Sequence, residues 1–159
     1  MRGCSCRGTA GFAHVSCLAE QAKILVAEVE QSNMDLKVKR ARWARWSTCS
    51  LCEQRYHGVV ACALGWACWR TYLGRPETDQ IHGMAMNVLG NGLSEAGHHE
   101  DALPVFEAKL AMERRLDVSE ECMLATKANL ACTYGELGQL DRALRLLHGQ
   151  RVLVVSCTG

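Results

Sequence analysis

A chain of 159 residues with a formal net charge of +1 has room for one ordinary domain or two small ones, and its 22% charged residues demand neither a polyanionic nor a membrane partner. Aromatic residues at 6% and only two prolines suit helices better than sheets. Ten cysteines are too many for an average intracellular chain, so they imply either a disulfide scaffold or a metal site. Residues 1–12 hold no apolar stretch of the secretory type, and five of the cysteines crowd into the first 52 positions. Both features favour thiolate ligands in a reducing compartment, the cytoplasm, with the nucleus also open to the chain.

In chain order, residues 1–17 are rich in Cys and Gly and read as an irregular, ligand-bearing loop. The stretch 18–46 reads as one helix, because Leu18, Ala22, Leu25, Val26 and Val29 recur at three- and four-residue steps. Its far end is basic at Lys37, Lys39, Arg40, Arg42 and Arg45. Residues 59–73 are apolar and rich in small side chains, which predicts a packed helix; the run is too short to span a membrane and is interrupted by Arg70. Gly74-Arg75-Pro76 is a break. Beyond it a helical pattern runs almost to the end, divided near Gly97 and Gly138.

That second half repeats. Leu89 falls on Leu130, Gly97 on Gly138, Ala102 on Ala143 and Leu103 on Leu144, each pair 41 positions apart. A period of this size with helix-turn-helix content predicts stacked hairpins. Gly90, Ala131, Ala102 and Ala143 would let helices approach, while Leu89, Leu93, Leu130, Tyr134, Phe106 and Leu147 would fill the space between them. Gly97 and Gly138 sit where a turn needs a left-handed residue. The pattern resembles the tetratricopeptide (TPR) repeat, and its longer period is similar to the kinesin-light-chain variety. Pro104 is tolerable only if its helix starts near Glu100. Two repeats are fewer than the three or so a solenoid needs, and the last residues bring no polar cap, so the chain reads as a fragment.

The ordered metal-ligand candidates are Cys4, Cys6, His14, Cys17, Cys49 and Cys52. Cys-x-x-Cys presents two thiolates to one ion, two such arms close a tetrahedron, and a thiolate-rich tetrahedral site favours zinc, with iron as the usual competitor. Cys4-x-Cys6, the Gly8-Thr9 step, His14-x-x-Cys17-Leu18, and Trp46 ahead of Cys49-x-x-Cys52 resemble the RING-CH (RING-variant) zinc module. The resemblance implies a cross-braced arrangement in which Cys4, Cys6, Cys49 and Cys52 form one site. It also implies that His14 and Cys17 belong to a second, incomplete one, whose first cysteine pair would lie upstream of Met1. Family members are commonly ubiquitin ligases, which bind a ubiquitin-conjugating enzyme and perform no covalent chemistry themselves.

The other candidates read more plainly. Cys62, Cys68, Cys122 and Cys132 are expected in the helical core, and Cys157 as a tail thiol. The basic run over 37–45 is expected to be a solvated helix face rather than a nucleic-acid contact, with Trp43 and Trp46 under the second cysteine knuckle. His98 and His99 mark a helix start. There is no phosphate-cradling glycine motif, nucleophile elbow or carboxylate pair to suggest catalysis.

The expected architecture is mostly α: a partial RING-CH-type zinc module over 1–56 with an inserted helix at about 18–46, a connecting hydrophobic helix over 57–75, and two TPR-like hairpins over 76–159. The expected function is a zinc-binding protein-interaction adaptor, a possible part of a ubiquitin ligase, that takes a protein or peptide through its TPR-like groove. The alternatives are an active RING-type ligase and a nucleic-acid-binding zinc protein.

Overall fold

A computed structural model describes residues 3, 4, 6, 13–32 and 34–147; the Gly8-Thr9 step and Cys157 lie outside the described residues. The protein is mostly helical, and the sole β pairing among the described residues is an isolated antiparallel bridge between Thr48 and Arg55. No described helix is long and apolar enough to cross a membrane. The chain divides into two compact units, Met1–Gly97 and His98–Gly159.

The first unit holds α1 (Val15–Gln31), α2 (Leu36–Trp43), a 3-10 turn (Ala44–Trp46), α3 (Gly58–Tyr72) and α4 (Gln80–Glu95). The single helix expected over 18–46 is broken. After Gln31 the chain turns extended at Ser32, and Asp35 restarts it by accepting a hydrogen bond from the Val38 N–H at 3.0 Å. An aspartate can bond the backbone locally in this way, so it favours a helix start over a helix interior. The indole rings of Trp43 and Trp46 do not sit beneath the knuckle. They pack on Tyr72 of α3, with ring centroids 5.6 and 6.0 Å away, in a cluster with Ala22, Val26, Cys68 and Ala85. Cys68 is fully buried there, and burial pushes its thiol well above the usual range.

Helices α3 and α4 pack backbone to backbone. A Cβ on Gly92 would stand 2.5 Å from the Ala61 carbonyl oxygen, and one on Gly65 would stand 3.1 Å from the Leu89 Cα. The close approach in this unit is therefore made by Gly65 and Gly92. Gly92→Ala is expected to force the two helices apart and cost about 1–3 kcal/mol. Urea unfolding with an unchanged midpoint would contradict that contact.

Arg75, in the break before α4, clips the unit together. It meets both oxygens of Glu30 on α1, at 2.7 and 2.9 Å, and Asp79 at 2.9 Å. Asp79 in turn caps α4 by accepting from the Ile81 N–H at 2.9 Å. The Arg75 hydrogen bond, then the Ile81 amide, hold its carboxyl below the usual 3.8. A depressed folded pKa stabilises the fold fully above the unfolded value, and that gain is lost as pH falls through the folded pKa. Asp79→Ala is therefore expected to cost about 1 kcal/mol at neutral pH. The gap in melting temperature between variant and parent should narrow once the pH drops below the ordinary carboxylate range; a gap independent of pH would refute the role.

The second unit contains α5 (His99–Arg115), α6 (Glu120–Glu136) and a helical segment over 140–147. His98 is the N-cap of α5, and Pro104 lies inside that helix, five residues after its first residue. Between α5 and α6, Asp117 takes a left-handed φ of 51° and the Val118 N–H reaches back to the Glu113 carbonyl at 3.0 Å.

The turns carry the repeat. Gly97 and Gly138 both have positive φ, 79° and 71°, and both donate to the carbonyl three residues back, at 3.0 Å. The next helix then begins at 99 in one case and 140 in the other, the same 41-residue step. Leu89, Leu93, Phe106, Leu130 and Tyr134 are buried as expected. Two expectations fail. Cys122 and Cys132 are exposed, because α6 buries the face carrying Met123, Thr126, Leu130 and Tyr134 instead. Leu147 is 44% exposed, since no element among the described residues covers it.

Candidate metal centre

The segments that carry the cysteines are positioned by backbone bonds. After the 3-10 turn, Thr48 pairs with Arg55, the Cys49 N–H donates to Gln54 O at 2.9 Å and the Glu53 N–H to Cys49 O at 3.1 Å. This tight loop turns the Leu51 N–H toward the Cys49 Sγ at 3.5 Å. Glu53 closes it with φ 57°, a left-handed conformation that costs a side-chain-bearing residue about 1–2 kcal/mol. Glu53→Gly is accordingly expected to stabilise the protein by about 1 kcal/mol, read as a higher melting temperature; a lower one would show that the glutamate is held there by something stronger.

The N-terminal arm is latched to α3. The His57 N–H, at the helix start, donates to the Gly3 carbonyl at 2.8 Å. A Cβ at residue 3 would lie 2.3 Å from the Val60 Cβ, so only glycine lets the arm lie against the first turn of α3. Cys4 follows directly, facing the knuckle.

The result is a cluster in which the sulfurs of Cys4, Cys6, Cys49 and Cys52 all lie within 4.8 Å of one another. Cys6 Sγ stands 3.7 Å from Cys49 Sγ. That separation is far beyond a disulfide bond of about 2.05 Å. It matches the edge of about 3.8 Å in a tetrahedron with metal–sulfur bonds near 2.3 Å. Cys4 and Cys49 are buried, and the cluster is backed by Tyr56, Val60, Ala61 and Leu64. Four thiols so placed could hold a metal ion.

Electrostatics point the same way. Burial acts to raise the Cys49 thiol, but the Cys52 and Leu51 N–H groups, then the Cys4 and Cys6 thiols, outweigh it and bring Cys49 down to about 6. Hydrogen bonding with Cys52 and Cys4, then loss of solvent, push Cys6 up to about 12. Cys49 forms a thiolate easily while Cys4 and Cys6 resist a second negative charge, a conflict that a bound cation would remove.

His14 and Cys17 are set apart from this cluster. Both are exposed at the start of α1, with Cys17 Sγ 3.9 Å from His14 Nδ1, and no third ligand joins them among the described residues. Lys37, Lys39, Arg40 and Arg42 of the basic run lie on α2, which buries no residue, and Arg45 lies on the 3-10 turn; Arg42 pairs with Glu28 of α1, and Arg40 faces solvent. Gly3, Glu53 and the Leu51 amide escape sequence reading, because their roles come from backbone geometry rather than residue type.

Comparison with family models, with characterised proteins and with solved structures found no match for this chain.

Proposed function

We propose that this protein is a zinc-binding interaction adaptor. Cys4, Cys6, Cys49 and Cys52 form a RING-CH-like site, and the helices beyond Gly74 act as TPR-like repeats that receive a protein or peptide as part of a ubiquitin-ligase assembly. The observation that carries the reading is the convergence of a Cys-x-Cys and a Cys-x-x-Cys arm, Cys6 and Cys49 being 43 residues apart, with all four sulfurs within 4.8 Å of one another. An all-thiolate set suits zinc, and four protein ligands leave no open position, so the metal's role is structural. The recurrence of turn geometry at Gly97 and Gly138 supports the repeat reading.

Elemental analysis of protein purified without added metal tests the core of it. One zinc per chain is expected, and none in Cys49→Ser. Iron would change the metal, and absence of any metal would remove the site. As an adaptor, the chain alone should not modify itself when given ubiquitin and a panel of conjugating enzymes; self-modification would favour the ligase reading.

A further inference from the structure

Within the second unit, α5, α6 and the segment 140–147 enclose an open cavity of about 300 Å³. Leu110, Ala111, Leu130 and Leu146 supply its apolar lining, and Arg114, Arg142 and Arg145 line it as well. The acidic residue lining it, Glu107, is already engaged: the Tyr134 hydroxyl donates to Glu107 Oε1 at 2.6 Å. Burial, then this carboxylate, hold the Tyr134 phenol above its usual range, so the hydroxyl remains a donor. Arg142 is stacked over the Tyr134 ring, its guanidinium carbon 4.9 Å from the centroid. Neither Arg114 nor Arg145 meets a carboxylate among the described residues.

We propose that this cavity binds a small amphipathic organic acid. The volume lies at the lower end of small-ligand pockets. The leucines and Ala111 of the lining would take a short hydrocarbon body. The guanidinium forks of Arg114 and Arg145 match the two oxygens of a carboxylate, and the stacked Arg142 adds a third positive charge to the lining. This site involves no residue of the cysteine cluster and stands whether or not that cluster holds zinc.

The full chain would be titrated with octanoate, with 1-octanol as the same body without charge and acetate as the same head without body. Saturable octanoate binding is expected, weakened by added salt, with octanol and acetate each at least roughly tenfold weaker. Arg114→Gln with Arg145→Gln should weaken octanoate about tenfold, at an unchanged melting temperature. Octanol binding as well as octanoate, or failure of octanoate to saturate, would overturn the proposal. So would retained affinity in the double variant. An acidic leucine-containing peptide that binds where octanoate does not would reassign the cavity to a peptide. If the double variant proves misfolded, the octanol and acetate comparisons on the parent protein still decide the matter.

Discussion

Withdrawing a metal ion bound by the four cysteines with a chelator is expected to release the N-terminal arm and open the Cys49–Cys52 loop, lowering stability by several kcal/mol. Linkage sets the scale: free metal at a thousand times its dissociation constant contributes about 4 kcal/mol. The loss should be local before it is global. The arm is held to α3 by the bond from the His57 N–H to Gly3 O, and the loop by the bonds between Ser47 and Tyr56 and between Cys49 and Gln54. None of these sits in a regular helix, so without a cation to reconcile four crowded thiols little keeps them closed. By contrast α3 and α4 keep their contact through Gly65 and Gly92. Hydrogen exchange is the discriminating measurement. The amides of Cys49, Glu53, Tyr56 and His57 should lose protection on chelation while those in the middle of α4 retain it. Unchanged exchange at all of these amides would mean that the cluster holds no structural metal. Cys49→Ser should reproduce the chelated pattern without any chelator.

Lys109→Met is expected to be the most damaging single substitution in the second unit, at about 3–5 kcal/mol. Lys109 and Glu113 are each 8% exposed and Thr126 is fully buried. Lys109 Nζ bonds both Glu113 Oε1 and Thr126 Oγ1, and Thr126 donates to Glu113 Oε1 at 3.1 Å. The other carboxylate oxygen, Glu113 Oε2, is buried with no hydrogen-bond partner among the described residues. Removing the ammonium leaves an uncompensated negative charge inside the α5–α6 contact, which is where the cost arises. Replacing both ends, Lys109→Met with Glu113→Leu, should recover most of the loss, as read from the same urea unfolding curve. A single variant as stable as the parent would show that the pair is solvated in solution; a double variant as unstable as the single would show that Lys109 matters for its packing rather than its charge.

What could be read from the sequence alone was chemistry or conformation specified over a few residues. The two short cysteine arms announce themselves because ligand spacing is a local property, and the structure brings all four sulfurs together. The apolar run over 59–73 matches α3, the Gly74–Pro76 break separates α3 from α4, and Gly97 and Gly138 take the left-handed turns their positions require. The apolar periodicity over 18–29 reads as one continuous helix and hides the break between α1 and α2, where the structure shows Asp35 as the cap. Which face of a helix is buried was decided elsewhere. Cys122 and Cys132 have the composition of core residues, yet they are exposed because the buried face of α6 carries Met123, Thr126, Leu130 and Tyr134 instead. The same sequence motif gives His14 and Cys17 a shared helix turn but no further ligand among the described residues. Gly3 against Val60, Gly92 against Ala61 and the arginines around the cavity of the second unit join residues far apart in the chain, or depend on how closely two backbones approach. No local pattern encodes such distances, because they follow from the packing of whole helices, and only the tertiary structure determines them.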